Sequence, residues 1–255
     1  MQLQGKVAIV TGSATGIGRA IATKFVHDGA SVAVDYVGSS ERADELVRAL
    51  ETVGGNAVAI AADVSDERQV AMLVSETVKK FGRLDILVNN AGIEHEYPFL
   101  ETPLEYWNKV VAINLTGPFL CAQHAAKQMV AQGDGGRIIN ISSVHEDLPM
   151  PTNAPYCATK GGLRMFMRTI CIELAPHGIT VNNVAPGAID TPMDAKLKDD
   201  PQKMAKLLAE IPLGRMGKSH EVAEMCAFVA SEAASYSTGA TFFVDGGMIR
   251  NAGKL

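Results

Sequence analysis

The chain has 255 residues, 47% of them hydrophobic and 20% charged, with a formal net charge of -5. Those proportions suit a globular enzyme-sized domain and exclude a disordered or low-complexity chain. No basic block marks it for nucleic acid or an acidic membrane surface. Residues 1–6 lead straight into an apolar run, so neither a signal peptide nor a membrane span is expected. The four cysteines, Cys121, Cys157, Cys171 and Cys226, lack metal-ligand spacing. They read as buried small hydrophobes of a reducing, cytoplasmic compartment, and no metal site is expected.

Val- and Ile-rich runs alternate with longer amphipathic stretches along the chain. A strand over 7–10 precedes a helix over 17–27, then a strand over 31–34 and a helix over 41–53. A third strand covers 57–61, a helix 70–81 and a fourth strand 84–88. Residues 104–129 carry two long helical patterns, 137–141 a fifth strand, 156–174 a long helix and 180–183 a sixth strand. A helix over 222–230 and a strand over 241–244 close the series. Short, continuously apolar strands separated by helices predict a parallel sheet covered on both faces. Right-handed crossovers then make it a doubly wound, Rossmann-type α/β sheet of about seven strands, in a single domain over 1–255. Residues 188–217, irregular and rich in proline and charge, are expected to form a substrate lid.

The first strand runs into Thr11-Gly12-Ser13-Ala14-Thr15-Gly16-Ile17-Gly18 and a helix. Gly12 suits a tight turn, Gly16 a backbone approach to a pyrophosphate, and Gly18 close packing of the helix, whose first N–H groups face the phosphates. Tyr156 and Lys160 are four residues apart on a predicted helix and share a face. A lysine cation beside a phenol favours the phenolate and makes the tyrosine a usable general base or acid near neutral pH. Ser143, after the fifth strand, is placed to donate to a substrate oxygen as charge develops on it.

The spacing GxxxGxG, with Asn89-Asn90-Ala91-Gly92, Ser142-Ser143, Tyr156-Cys157-Ala158-Thr159-Lys160 and Pro186-Gly187, resembles the short-chain dehydrogenase/reductase family over essentially the whole chain. The resemblance implies hydride transfer between a nicotinamide dinucleotide and an alcohol or carbonyl. It implies cofactor contacts from Gly12, Thr15, Gly16, Ile17, Gly18, Ala91, Gly92, Pro186 and Gly187. Asp63 would bond the adenine amino group and Val64 would touch its ring. Asn89 would stabilise the central strands, and Ile189 and Thr191 would hold the carboxamide. Lys160 would also bond the nicotinamide ribose, and Asn114 would hold a water linking Lys160 to solvent. A homotetramer is the family's usual assembly. The family's ribose-binding acid sits one position after Asp35, at Tyr36, and strand alternation turns Asp35 the other way. Tyr36 and Ser39 are therefore expected to set cofactor choice, either NADP or NAD, with a lean to NADP or dual use.

Further stretches resemble the family's glucose 1-dehydrogenase branch: Gly92-Ile93-Glu94, 142–146, 181–192 and Asp245-Gly246-Gly247-Met248. By that resemblance Glu94, His145, Met150 and Asp194 would line a sugar site. Met150 and Leu197 depart from the branch, which has a tryptophan and a lysine there. That leaves another aldose, a polyol or a small hydrophobic ketone open. A 3-oxoacyl-carrier-protein reductase would use the same catalytic set, with Lys196, Lys198, Lys203 and Lys206 as a docking patch diluted by Asp199, Asp200 and Glu210. A non-catalytic nucleotide-binding protein on this fold has no need of Ser143, Tyr156 and Lys160 together.

Overall fold

A computed structural model describes residues 1–191 and 200–251. Strands β1 (Val7–Val10), β2 (Ser31–Tyr36), β3 (Asn56–Ala61), β4 (Ile86–Asn89), β5 (Gly136–Ile141) and β6 (Ile179–Pro186) form a seven-stranded sheet with β9 (Thr241–Val244). All pairings are parallel, in the order β3-β2-β1-β4-β5-β6-β9. Strand order reverses between β1 and β4, which opens a crevice at their carboxyl ends, where such sheets bind ligands.

Helices α1 (Gly16–His27), α2 (Glu41–Thr52), α3 (Glu67–Phe81), α4 (Leu104–Val111), α5 (Gly117–Gln132) and α6 (Ala154–Leu174) connect the strands up to β6. Beyond it come β7 (Ile189–Asp190), α7 (Pro201–Glu210), β8 (Gly217–Lys218) and α8 (Ser219–Ala230). Side chains alternate across each strand, so the sheet feeds two cores. Ala8 and Val10 pack with Phe25, Leu46 and Val222 on one face, while Ile9 packs with Leu73, Met129 and Met167 on the other.

Several boundaries differ from those predicted. Helix α3 starts three residues early because the Asp66 side chain accepts from the Arg68 and Gln69 N–H groups. Strand β6 runs on to Pro186, since β9 pairs with Val184, Ala185 and Pro186. The 104–129 pattern is two helices joined by a wide π-helical turn at Ala112–Thr116. That turn shifts the apolar stripe: Val110, Ala122 and Ala126 are buried, but Phe119 is 43% exposed and meets the Phe166 ring at 6.2 Å. Within 188–217, the β7–β8 pair and α7 add regular structure, and residues 192–199 lie outside those described. No helix among the described residues is long and apolar enough to cross a membrane.

Candidate active site

Two loops meet at the crevice and act as one piece. Thr11 Oγ1 accepts from the Asn90 and Ala91 N–H groups at 2.9 and 3.0 Å, and Asn90 Nδ2 donates back to the Thr11 and Gly12 carbonyls. Gly12 has φ +59, and a Cβ there would stand 3.0 Å from the Ala91 Cα. Gly18 is closer still, with a Cβ falling 2.5 Å from Asn90 Nδ2, so its contact is with this loop pair. Asp35 is turned into the glycine loop, where its Oδ2 accepts from the Gly12 N–H at 2.9 Å. Burial pushes the Asp35 carboxyl up to about 7, against the pull of that N–H.

Helix α1 then begins with no side-chain cap from Thr15 and no acidic residue in its first turn. A Cβ on Gly16 would meet no atom within 4 Å. An uncapped helix start behind a glycine cradle fits the paired phosphates of a dinucleotide.

The other predicted cofactor residues line the same carboxyl edge. Tyr36 is half-buried at the end of β2, and exposed Ser39 offers its Oγ to the Glu41 N–H at 3.4 Å. Asp63 Oδ1 accepts from both the N–H and the hydroxyl of Ser65. Val64 is buried against Gly117. The Asn89 amide points sideways within the sheet to Asn140 Oδ1 at 2.9 Å. Pro186 is buried, and the Gly187 N–H donates to the Val244 carbonyl at 3.0 Å. Ile189 is buried against Gly217, and Thr191 is half-buried. Asp194 and Leu197 lie outside the described residues.

Asn114 sits in the π-helical turn, buried. Its Oδ1 accepts from the Ile93 N–H and its Nδ2 donates to the Ile93 carbonyl, each at 2.9 Å. The Asn114 side chain is therefore committed to the loop after β4, beside Gly92 and ahead of Glu94.

At the reacting centre, Ser143 follows β5 and its Oγ accepts from the His145 N–H at 3.2 Å, which leaves the hydroxyl proton to donate. Pro155 lies in the first turn of α6, and the helix sets Tyr156 and Lys160 one turn apart. Lys160 Nζ donates to the Ile141 carbonyl at 2.8 Å and lies 5.4 Å from the Tyr156 ring centroid. Burial draws Lys160 down to about 8, while Glu146 and then Glu94 pull it back up. His145 stands 6.3 Å from Tyr156, ring to ring, and its Nδ1 lies 3.1 Å from the Leu148 carbonyl. That contact requires a proton on Nδ1 and leaves Nε2 as an acceptor; burial lowers the pKa of the ring.

Just before α6, half-buried Met150 and strained Thr152 (φ +67) belong to a segment joined to the loop after β4 by the Tyr97 N–H on the Thr152 carbonyl at 2.8 Å. Glu94 on that loop is exposed, and His95, Tyr97 and Tyr106 cluster beside it with centroids 4.8 to 6.2 Å apart.

Sequence reasoning gave Asn89 a role in stabilising the central strands but none to Asn140, Asn183 or Glu146, the rest of a buried polar ladder. Asn89 donates to Asn140, Asn140 to Asn183 at 3.0 Å, and Asn183 to Glu146 Oε2 at 3.0 Å. The available signal was an asparagine near the carboxyl end of each of three neighbouring apolar strands.

Residues 12–249 match the family model described as enoyl-(acyl carrier protein) reductase. The chain is 44% identical to 3beta-hydroxysteroid dehydrogenase 1 of Eggerthella lenta, over 96% of this chain and 94% of that one. It is 43% identical to glucose 1-dehydrogenase 2 of Bacillus subtilis, covering 96% and 95%. A 3-oxoacyl-[acyl-carrier-protein] reductase of Synechocystis is 44% identical, covering 97% and 98%. Among solved structures, a gluconate 5-dehydrogenase of Burkholderia cenocepacia in complex with NADP and tartrate superposes with a TM-score of 0.94, at 37% identity over 98% of both chains. The chain belongs to the short-chain dehydrogenase/reductase family and is an NAD(P)-dependent oxidoreductase.

Proposed function

We propose that the chain interconverts a sugar hydroxyl and the corresponding carbonyl compound, with NADP, or both NADP and NAD, as hydride carrier. The observation that carries the chemistry of this reading is the buried Lys160 ammonium, anchored on the Ile141 carbonyl 5.4 Å from the Tyr156 ring. A phenol with an ordinary pKa near 10 is a poor base, and an adjacent cation stabilises its phenolate. In oxidation, Tyr156 takes the proton of the substrate hydroxyl while Ser143 donates to the same oxygen as charge gathers there. A bound nicotinamide supplies the hydride acceptor. The glycine loop and first turn of α1 hold the phosphates, Asp63 and Val64 the adenine, Ile189 and Thr191 the carboxamide, and Lys160 the ribose.

The sugar reading is supported by His145, whose Nε2 accepts beside Tyr156, and by Glu94, whose charge acts on Lys160. For the dinucleotide, Asp35 is spent on Gly12 and the ribose corner offers Tyr36 and Ser39. A second reading, reduction of an apolar ketone such as a ketosteroid or a 3-oxoacyl thioester, is favoured by the thioether of Met150 and the neighbouring aromatic rings. The deciding experiment follows reduced-dinucleotide absorbance with a panel of aldoses, polyols, ketosteroids and oxoacyl thioesters, with NADP(H) and NAD(H) in parallel. Saturable turnover of an aldose with NADP is expected; silence with sugars and turnover of ketones would overturn the sugar assignment.

The same reading makes the protein a cytoplasmic homotetramer acting on a small molecule, with no nucleic-acid or membrane partner. Exposed Leu104, Met165 and Ile172 on α4 and α6 support association, and the unpaired thiols suit a reducing compartment. Sedimentation equilibrium at a monomer mass would overturn the tetramer.

A further inference from the structure

We propose that Glu146 is a positioning residue for the reacting centre: its buried carboxylate gathers the serine-bearing loop, β6, β9 and α6 into one assembly and is the counter-charge of Lys160. The inference rests on Tyr156, Lys160 and Ser143 being the reacting set.

Glu146 lies three residues after Ser143, in the short turn Val144–Glu146, and its side chain is 0% exposed. Its Oε2 accepts from Ser142 Oγ at 2.5 Å and Asn183 Nδ2 at 3.0 Å, and its Oε1 from Thr241 Oγ1 at 2.7 Å. Arg164 Nε stands 3.8 Å from the same oxygen, and that guanidinium also pairs with Asp147. Arg164 is one helical turn beyond Lys160, and a Cβ on Gly161 would sit 3.9 Å from the Glu146 carbonyl, so α6 lies against this turn. A carboxylate only accepts hydrogen bonds. Asn183 must therefore give it Nδ2 and turn Oδ1 to Asn140, which orients the ladder back to Asn89.

Packing does not call for a charge here, since an amide would fill the space and still accept hydrogen bonds with less desolvation. What a carboxylate adds is its field. The direct partner of Lys160 is a neutral carbonyl. The charges acting on Lys160 are Glu146 from the turn and Glu94 from the loop after β4, with Tyr156 beside it on its own helix. Around Glu146 itself stand Arg164, which also pairs with Asp147, and the neutral Asn183 and Thr241 of β6 and β9. Glu146 is the larger of the two charges that oppose the effect of burial on Lys160. Losing that charge lets Lys160 shed its proton at lower pH, whereas losing Arg164 has the opposite sign.

The test is the pH profile of kcat for alcohol oxidation in the full chain. Glu146→Gln preserves the framework, because Oε1 can accept from Ser142 and Asn183 while Nε2 donates to the Thr241 oxygen. Its alkaline limb is expected to move down by about half a pH unit or more, and that of Arg164→Met to move up. Limbs that stay put, or that move in the same direction, would overturn the proposal even if both variants melt earlier. Should Glu146→Gln not fold, an unmoved limb in Arg164→Met still overturns it. A Tyr156→Phe control separates the two levels: residual turnover sinks the underlying assignment, while a dead control with unmoved limbs sinks this inference.

Discussion

At the amino-terminal edge of the sheet, the Asp85 carboxylate accepts from the Val7 N–H at 2.8 Å and is gripped by the Arg83 guanidinium, which also reaches Asp134. Arg137 reaches Glu232 on the same edge, and the Asp85 pairing pushes the Arg83 pKa up. At the carboxyl edge, Asp35 and Lys160 are buried on neutral partners, a backbone N–H and a backbone carbonyl. Burial pushes Asp35 up to about 7 and draws Lys160 down to about 8. One edge matches opposite charges and gains stability from them. The other holds groups whose proton occupancy changes near neutral pH, as a centre that moves protons requires.

That contrast breaks most visibly at Tyr156. Tyr156→Phe is expected to lower kcat by about a thousandfold or more while dinucleotide affinity, read by fluorescence titration, stays within about threefold. Near-normal turnover would remove the chemical meaning of the carboxyl edge. At the other edge, Asp85→Ala is expected to cost about 3 kcal/mol in denaturant melts, discounted for the partial exposure of Arg83, with kcat nearly unchanged. A large loss of kcat there would erase the distinction between the edges. The smallest effect is at Asp35. Its folded pKa is raised, so its contribution is fully present below the unfolded value near 3.8 and is lost as pH rises through about 7. Asp35→Asn should therefore gain on the parent by about 2 kcal/mol in unfolding free energy between pH 5 and pH 8, and show no large gain in NADP preference. A pH-independent gap would show that burial does not govern this carboxyl.

Much of the fold was legible because its signals are local. Val- and Ile-rich runs such as 7–10 and 84–88 mark buried parallel strands, and the glycine loop marks the crevice between β1 and β4. The end of β6 was hidden because Pro186 looks like a strand breaker, and the pairing of Val184–Pro186 comes from β9, distant in sequence. Tyr156, Lys160 and Ser143 could be picked out from motif and chemistry. Glu146 could not, since beside Asp147 it reads as part of a solvated acidic turn; its donors lie 4, 37 and 95 residues away. The commitment of the Asn114 amide to Ile93 was equally hidden, because it depends on the wide turn between α4 and α5.

That turn also constrains which insertions and deletions the chain tolerates. A π-turn closes its hydrogen bonds one residue further along than an α-turn, so it takes up one extra residue with little net rotation of α5 against α4. Deleting one residue from 112–116 to restore regular winding would leave the Ala122, Ala125 and Met129 stripe on the sheet but would remove the turn that sets Asn114 against Ile93. The extra residue is therefore held by the Asn114 bonds and not by the packing of the two helices.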